Sequence, residues 1–293
     1  MADCTYSYRK DRKIKNLRYG LLAGLLWLPV ILTVLILLFL LGASFMGQLE
    51  MKAITENGLS ASHILPEEFT LQGWKHILLD TPEQLIFFWN GVWVALPILA
   101  GNLCVSALAG YGLGCFQFRG KKVLLLILVI LMLLPYQVTL TPNFLVLDWM
   151  GLIGSRLAVI LPGIFHPLGI VAMSYFMAAV PTDSLEAARL EGAGGFRIFC
   201  RIALPQTAGG IVILALYSLM DAWNTVEPVL VLVQDTTKYP LSVALRTITE
   251  NQMEVSGATS VIYVLPILLV FGMACEKLVE GLVGIRKKGH QHA

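Results

Sequence analysis

Apolar positions along this chain gather into six long runs, at residues 19–41, 90–113, 123–140, 157–179, 209–233 and 261–282. Each is about long enough to cross roughly 30 Å of hydrocarbon as a helix rising 1.5 Å per residue. The predicted architecture is an all-α membrane protein with six transmembrane helices. Proline and glycine recur inside the runs, at Pro29, Pro97, Pro135, Pro162, Pro167 and Pro266 and at Gly110, Gly112 and Gly114. Such prolines bend a span where neighbours satisfy the freed carbonyl. Gly110-x-x-x-Gly114 has the spacing that lets two helices approach closely. No period of 20–50 residues recurs, which excludes a repeat array.

Composition sharpens this picture. The 293 residues are 57% hydrophobic and 14% charged, with a net charge of +2 and a mean hydropathy of +0.74. Soluble domains run at about 45–50% apolar and about 25% charged. Disorder, a nucleic-acid binder driven by net charge and an ordinary cytosolic enzyme are all excluded. The first run is read as a retained helix. A signal peptide would have a core of about 7–15 residues and a prompt small-x-small site, and this run has neither. The five cysteines are scattered with no C-x-x-C pair. They indicate neither a zinc site nor a disulfide framework, and read as small apolar side chains.

Basic residues orient the bundle, because they are retained on the cytoplasmic side. With the N-terminus inside, that side holds the basic residues between Arg9 and Arg18, then Arg119, Lys121 and Lys122. It also holds Arg189, Arg197 and Arg201, and finally Lys277, Arg286, Lys287 and Lys288. The outer side keeps Lys52, Lys75, Arg156, Lys238 and Arg246. Both termini are thus expected in the cytoplasm. Residues 1–18 form a basic N-terminus and 19–41 the first span. Residues 42–89 form an extracytoplasmic loop with a short helix around positions 71–79. A five-helix core occupies 90–282 and a cytoplasmic tail 283–293. A second outer excursion runs from 234 to 260.

Catalytic chemistry has little to work with. There is no H-E-x-x-H, no G-x-S-x-G and no cluster of histidines and carboxylates at ligand spacing. The stretch from Gly114 to Gly120-Lys121-Lys122 imitates a phosphate loop. It is one residue too long, lacks the Ser or Thr that should follow the lysine, and has no strand before it. No catalytic residue, metal site or cofactor is expected. His166, beside Pro167, reads as an interior histidine satisfied by its neighbours. Asp221, Trp223 and Asn224 combine an acid, an aromatic platform and an amide in the middle of the fifth run. They are candidate solute-pathway residues, or else Trp223 and Asn224 fix a bend or an interhelical contact. A charge at mid-span costs about 2.5–3.5 kcal/mol, so Asp221 is expected to face the bundle interior or a wet cavity. One such acid gives thin support to the alternative of an ion-coupled secondary transporter.

The segment 181–205 is the most ordered-looking connection. Asp183 can cap a short helix, with Glu186 three residues on completing an approximate capping box. Gly192 can end that helix in the left-handed conformation. Phe196 and Phe199 mark a second apolar turn, and Pro205 suits the first turn of the fifth span. The small alanines beside a glycine make a low-profile knob able to enter a groove on another protein.

Here the sequence resembles a known family. Glu186-Ala187-Ala188, then Gly192, then Ile202-x-Leu204-Pro205, with three and nine residues between, is similar to the EAA loop of ABC-importer permeases. Glu191 stands where the family often has Asp, and Ala193 follows the glycine. Other matches resemble the carbohydrate-uptake branch, in particular the second, shorter permease subunit of maltose-type transporters. They are Phe88-Trp-Asn90, Tyr111 before Phe118-Arg-Gly-Lys, Leu134-Pro135, Thr141-Pro142, Trp223-Asn224 before Pro228, and Tyr239-Pro240-Leu241. Gly281-x-x-Gly284 with Lys288-Gly289 completes them, so the resemblance spans roughly residues 71–289. It implies a type I ABC importer permease fold, in which 181–205 is a cytoplasmic coupling loop. It also implies a multi-pass protein of a bacterial or archaeal cell membrane, embedded in lipid, with no nucleic-acid partner. The implied partners are a second, non-identical permease, an ATPase subunit dimer that hydrolyses ATP, and an extracytoplasmic solute-binding protein.

Overall fold

A computed structural model describes residues 24–57, 66–80, 82–247 and 253–289. The basic segment 1–18 and the last four residues of the expected tail lie outside the described residues. Among those described there is helix and loop and no strand. In chain order the helices are α1 (Gly24–Ala43), α2 (Gln48–Asn57) and α3 (Gln72–Lys75, widening into a π turn at His76–Asp80). Next come α4 (Glu83–Cys115), α5 (Lys121–Leu133), α6 (Tyr136–Trp149), α7 (Leu157–Ile164), α8 (Pro167–Ala178) and α9 (Thr182–Leu190). The series continues with α10 (Gly195–Ile198, then a π turn Phe199–Ala203), α11 (Leu204–Gln206) and α12 (Ala208–Trp223). It ends with α13 (Glu227–Leu232), α14 (Leu241–Thr247) and α15 (Met253–Gly289).

Among the described residues four stretches are long and apolar enough to cross a membrane: Gly24–Ala43, Glu83–Cys115, Leu157–Ala178 and Val255–Cys275. Six are reached when two bent pairs each count as one span. The run 123–140 is therefore not one straight helix. Pro135 forces Leu134 into an extended conformation (φ −71°, ψ 128°), and α5 and α6 meet at 102°. A residue before proline is pushed out of the helical region in this way. The run 209–233 is likewise interrupted after Trp223, and helix resumes at Glu227 with Pro228 in its first turn, where proline is tolerated. The last helix begins at Met253, eight residues before the expected 261. Its first turns are lined by small residues, and Val255, Ala258 and Thr259 are buried there.

The chain forms two compact units, the first from Met1–Asp80 with Ile248–Val261 and the second from the rest. In the first, Phe45 stacks on Phe69 with ring centroids 4.4 Å apart, and the Thr70 amide donates to the Phe45 carbonyl at 2.8 Å. Gly257 lies so close to the Ala43 backbone that a side chain there would meet it.

The second unit is organised around α4, which at 33 residues is about 50 Å long. Glycines form its seam with α7 and α8. A Cβ on Gly110 would stand 2.5 Å from Met173 Cβ, and one on Gly114 2.6 Å from Met177 Cβ. The pair Gly101–Ile164 and Gly163–Ile98 repeats the arrangement in both directions. At the start of α4, Asn90 donates to the carbonyls of Thr237 (2.8 Å) and Tyr239 (3.1 Å) and accepts from Arg156. Trp223 packs edge-on against Phe88 at 5.6 Å. The widely spaced motif residues Phe88, Asn90, Trp223 and Tyr239 thus build one end of this unit, and Tyr111 and Cys115 build the other. The outer surfaces of α1 and α5 are large exposed aliphatics, such as Leu26, Ile31, Val123 and Leu126. A lipid-facing surface has this character.

Candidate functional site

The 181–205 segment is a small folded body rather than a free loop. Pro181, with φ fixed near −59°, starts α9 at Thr182, two residues earlier than an Asp183 cap would. Asp183 therefore sits inside the first turn, no side chain caps the helix, and the Asp183–Glu186 capping box does not form. Asp183 still favours that end through the helix dipole. The C-terminus follows the expectation, since Gly192 is left-handed at φ +80°. Its amide donates to Arg189 carbonyl at 3.0 Å, and the Ala193 amide reaches back to Ala188 carbonyl at 3.0 Å. This is a Schellman closure, completed by apolar contact between Ala188 and Ala193.

The expected coupling residues divide by this geometry. Ala188 is buried with Leu185, Val180 and Ile198, and Ala193 and Ile202 pack onto the same cluster. Leu204 packs against the neighbouring cluster around Met177 and Phe199. Glu186, Ala187, Glu191, Gly192 and Pro205 are exposed. The knob read from the alanines is therefore half internal: Ala187 faces out and Ala188 faces in. Pro205 lies in the short α11 rather than in the fifth span, because the chain turns by 80° before α12. At that turn the Thr207 hydroxyl donates to Ala203 carbonyl at 2.9 Å.

Two exposed apolar side chains join the outward face, Leu190 at 91% and Phe196 at 74% exposure. The motif does not contain them, but helical spacing points to Leu190. It lies two residues, about 200°, round the helix from buried Ala188. The whole body is tied to α4. Tyr111 hydroxyl donates to Gly195 carbonyl at 3.4 Å, and its ring lies 5.2 Å from both Phe116 and Phe199. The Arg189 guanidinium sits 5.7 Å over the Phe116 ring. Lys121 Nζ donates to the Phe116 carbonyl at 3.1 Å.

The three expected pathway residues do not act together. Trp223 is buried, its indole N–H donating to Tyr263 carbonyl at 3.0 Å and its ring stacking on Tyr263. It is a packing residue. Asn224 accepts from the Tyr263 hydroxyl and donates to Met220 carbonyl at 2.7 Å. The Asp221 side chain is 59% exposed, and His166 Nε2 lies 4.0 Å from its Oδ2. His166 is not the satisfied histidine expected, because its buried Nδ1 has no hydrogen-bond partner. Nothing in local sequence announced the pairing, which joins residues 55 positions apart.

Known proteins resemble this chain. The chain is 26% identical over 220 residues to the arabinooligosaccharides transport system permease protein AraQ of Halalkalibacterium halodurans, covering 74% of this chain and 79% of that protein. It is also 26% identical over 288 residues to the polygalacturonan/rhamnogalacturonan transport system permease protein YtcP of Bacillus subtilis, covering 92% and 97%. In structure it matches a chain of a bacterial ABC transporter involved in the import of the acidic polysaccharide alginate. That match has a TM-score of 0.74 and 19% identity, over 88% of this chain and 95% of that one. Residues 106–278, more than half of the chain and including the folded loop, match the family described as binding-protein-dependent transport system inner membrane component, and the chain belongs to that family.

Proposed function

We propose that this importer permease is one of two non-identical permease subunits that carry an oligosaccharide or related polyol, driven by an ATPase dimer seated on the 181–205 body. The carbohydrate class is supported by relatives whose names specify arabinooligosaccharides, lactose and galactooligosaccharides. The observation that carries the coupling role is the exposed face of Glu186, Ala187, Leu190 and Phe196 on a body locked to α4. An apolar pair of this kind is left open to solvent at a protein contact. Movement imposed there passes through Tyr111, Phe116 and Phe199 to the end of α4, and through the Val180 cluster to α8. Closure of the ATPase dimer then favours one arrangement of the spans over the other, which is what alternating access requires. The ion-coupled alternative gives this body no task.

The same reading puts the 181–205 end, with Arg119, Lys121, Lys122, Arg197 and Arg201, in the cytoplasm, as the bias of basic residues prescribes. The Asn90, Arg156 and Lys238 end then faces outward toward the solute-binding protein. Affinity purification of the tagged chain from its native host tests the assembly, and a stoichiometric ATPase and a second permease are expected. Purification without any ATPase would overturn it. In a cysteine-free background, an impermeant thiol reagent should label a cysteine at Ser62 and not one at Ala187; the reverse would invert the topology.

A further inference from the structure

We propose that His166, Tyr217 and Asp221 form a solute station that takes neutral polyhydroxylated compounds and rejects carboxylated ones. This rests on the carbohydrate-importer reading above. The station is built where an apolar stretch is broken. Pro167 forces His166 into an extended conformation (φ −122°, ψ 109°), so α7 ends and α8 begins inside the Leu157–Ala178 stretch. The break turns the imidazole toward α12, where it lies edge-on to the Tyr217 ring at 5.4 Å. Tyr217 and Asp221 are four residues apart on that helix and share a face, and both are exposed.

The geometry lets one hydroxyl bridge the pair from the side. At 4.0 Å, His166 Nε2 and Asp221 Oδ2 are beyond hydrogen-bond reach of one another. A carboxylate opposite Nε2 favours the tautomer carrying its proton there, so the pair presents one donor and one acceptor. A hydroxyl is both, and can accept from Nε2–H while donating to Oδ2. Tyr217 offers an aromatic face for ring C–H groups beside them. Asn224 is already engaged by Tyr263 and Met220, and Trp223 is buried, so neither belongs to the station.

Charge sets the selectivity. Among the described residues Asp221 has no lysine or arginine within ion-pair distance. Glu227, farther along the same segment, is also exposed and accepts from Gln137 at 3.0 Å. A solute carboxylate at the station would therefore face Asp221 with nothing to neutralise it, whereas neutral hydroxyls complete the pair. An ionised side chain exposed on a spanning helix also needs polar surroundings, which a wet solute pathway provides.

The test uses the complete transporter, with its own binding protein, reconstituted in proteoliposomes. The probes are a neutral galacto-oligosaccharide and an oligogalacturonate of equal length. The wild type should take up the neutral probe at least ten-fold faster. Asp221→Asn and His166→Phe should each raise the half-saturating concentration for the neutral probe about ten-fold, with the complex still co-purifying, and His166→Gln should recover part of the loss by restoring a donor. Wild-type kinetics in both Asp221→Asn and His166→Phe would overturn the station. So would loss of the partner permease from the purified variants, which would make this face a subunit contact, and so would equal wild-type uptake of both probes. No uptake of either probe by the wild type would instead overturn the carbohydrate reading beneath it.

Discussion

Gly110→Ala adds a single methyl group at the tightest point of the α4–α8 seam. Its carbon would stand 2.5 Å from Met173 Cβ, 2.8 Å from the Met173 carbonyl carbon and 3.0 Å from the Ser174 amide nitrogen. Carbon atoms in contact sit about 3.5–4.0 Å apart, so the helices must separate by about 1 Å. No rotamer change relieves this, because two of the three atoms are backbone. Overpacking of this kind costs about 1–3 kcal/mol. Gly112→Ala, on the same helix, meets nothing within 4 Å. There the change only removes glycine's helix penalty, a gain of about 0.8–1.0 kcal/mol. Gly110→Ala sheds the same helix penalty, so the two single-methyl variants should differ by the overpacking cost alone, about 1–3 kcal/mol. Thermal unfolding of the detergent-solubilised complex should separate their midpoints by on the order of 5 °C. Equal midpoints would refute the close seam and the account of how α4 is held.

Further outcomes follow from the two ends of the second unit. Asn90→Ala should destabilise the protein by about 1–3 kcal/mol, because it leaves the half-buried Arg156 guanidinium and the Thr237 and Tyr239 carbonyls short of a partner; a thermal midpoint unchanged from wild type would show that water replaces the amide. Glu186→Gln should leave thermal stability within about 0.5 kcal/mol, since Glu186 caps nothing, while ATPase co-purification falls; a drop in stability would show that Glu186 holds the loop after all. Thr237 and then Lys238 donate to the Asp235 carboxylate and hold it below the usual carboxylate range. A lowered folded value means the turn's extra stability is present above the unfolded value, near pH 3.9, and is lost as pH falls through the folded one. Hydrogen exchange at the Thr237 amide should thus keep the same protection at pH 5 as at pH 7. A loss of protection by pH 5 would contradict the bond pattern.

Much of this was legible in residue spacing. Four of the six apolar runs gave stretches of membrane length among the described residues, Gly110-x-x-x-Gly114 gave the seam, and Gly192 after the last periodic residue of α9 gave the left-handed closure. What escaped the sequence depended on context. Leu134-Pro135 reads equally well as a kink or a break, and neighbouring helices decide between them. Ala187 and Ala188 are chemically identical, and only packing on Leu185 and Ile198 distinguishes the inward one. The Asp183–Glu186 box failed through a two-residue shift imposed by Pro181. Trp223 was indistinguishable from a solute platform until Tyr263, 40 residues away, took its indole N–H. His166 and Asp221 met only through tertiary packing, which no local pattern encodes.

The central claim is that the outward face of the 181–205 body receives the ATPase and transmits its closure. Ala187 is exposed on that face and touches none of the buried cluster beneath it, so Ala187→Trp perturbs docking without disturbing the fold. Solute uptake, measured with thermal stability and ATPase co-purification on the same preparation, tests the claim directly. The expected result is wild-type stability with uptake lost, through either a missing ATPase or hydrolysis that no longer drives transport. Wild-type uptake by a stably folded Ala187→Trp would contradict the account.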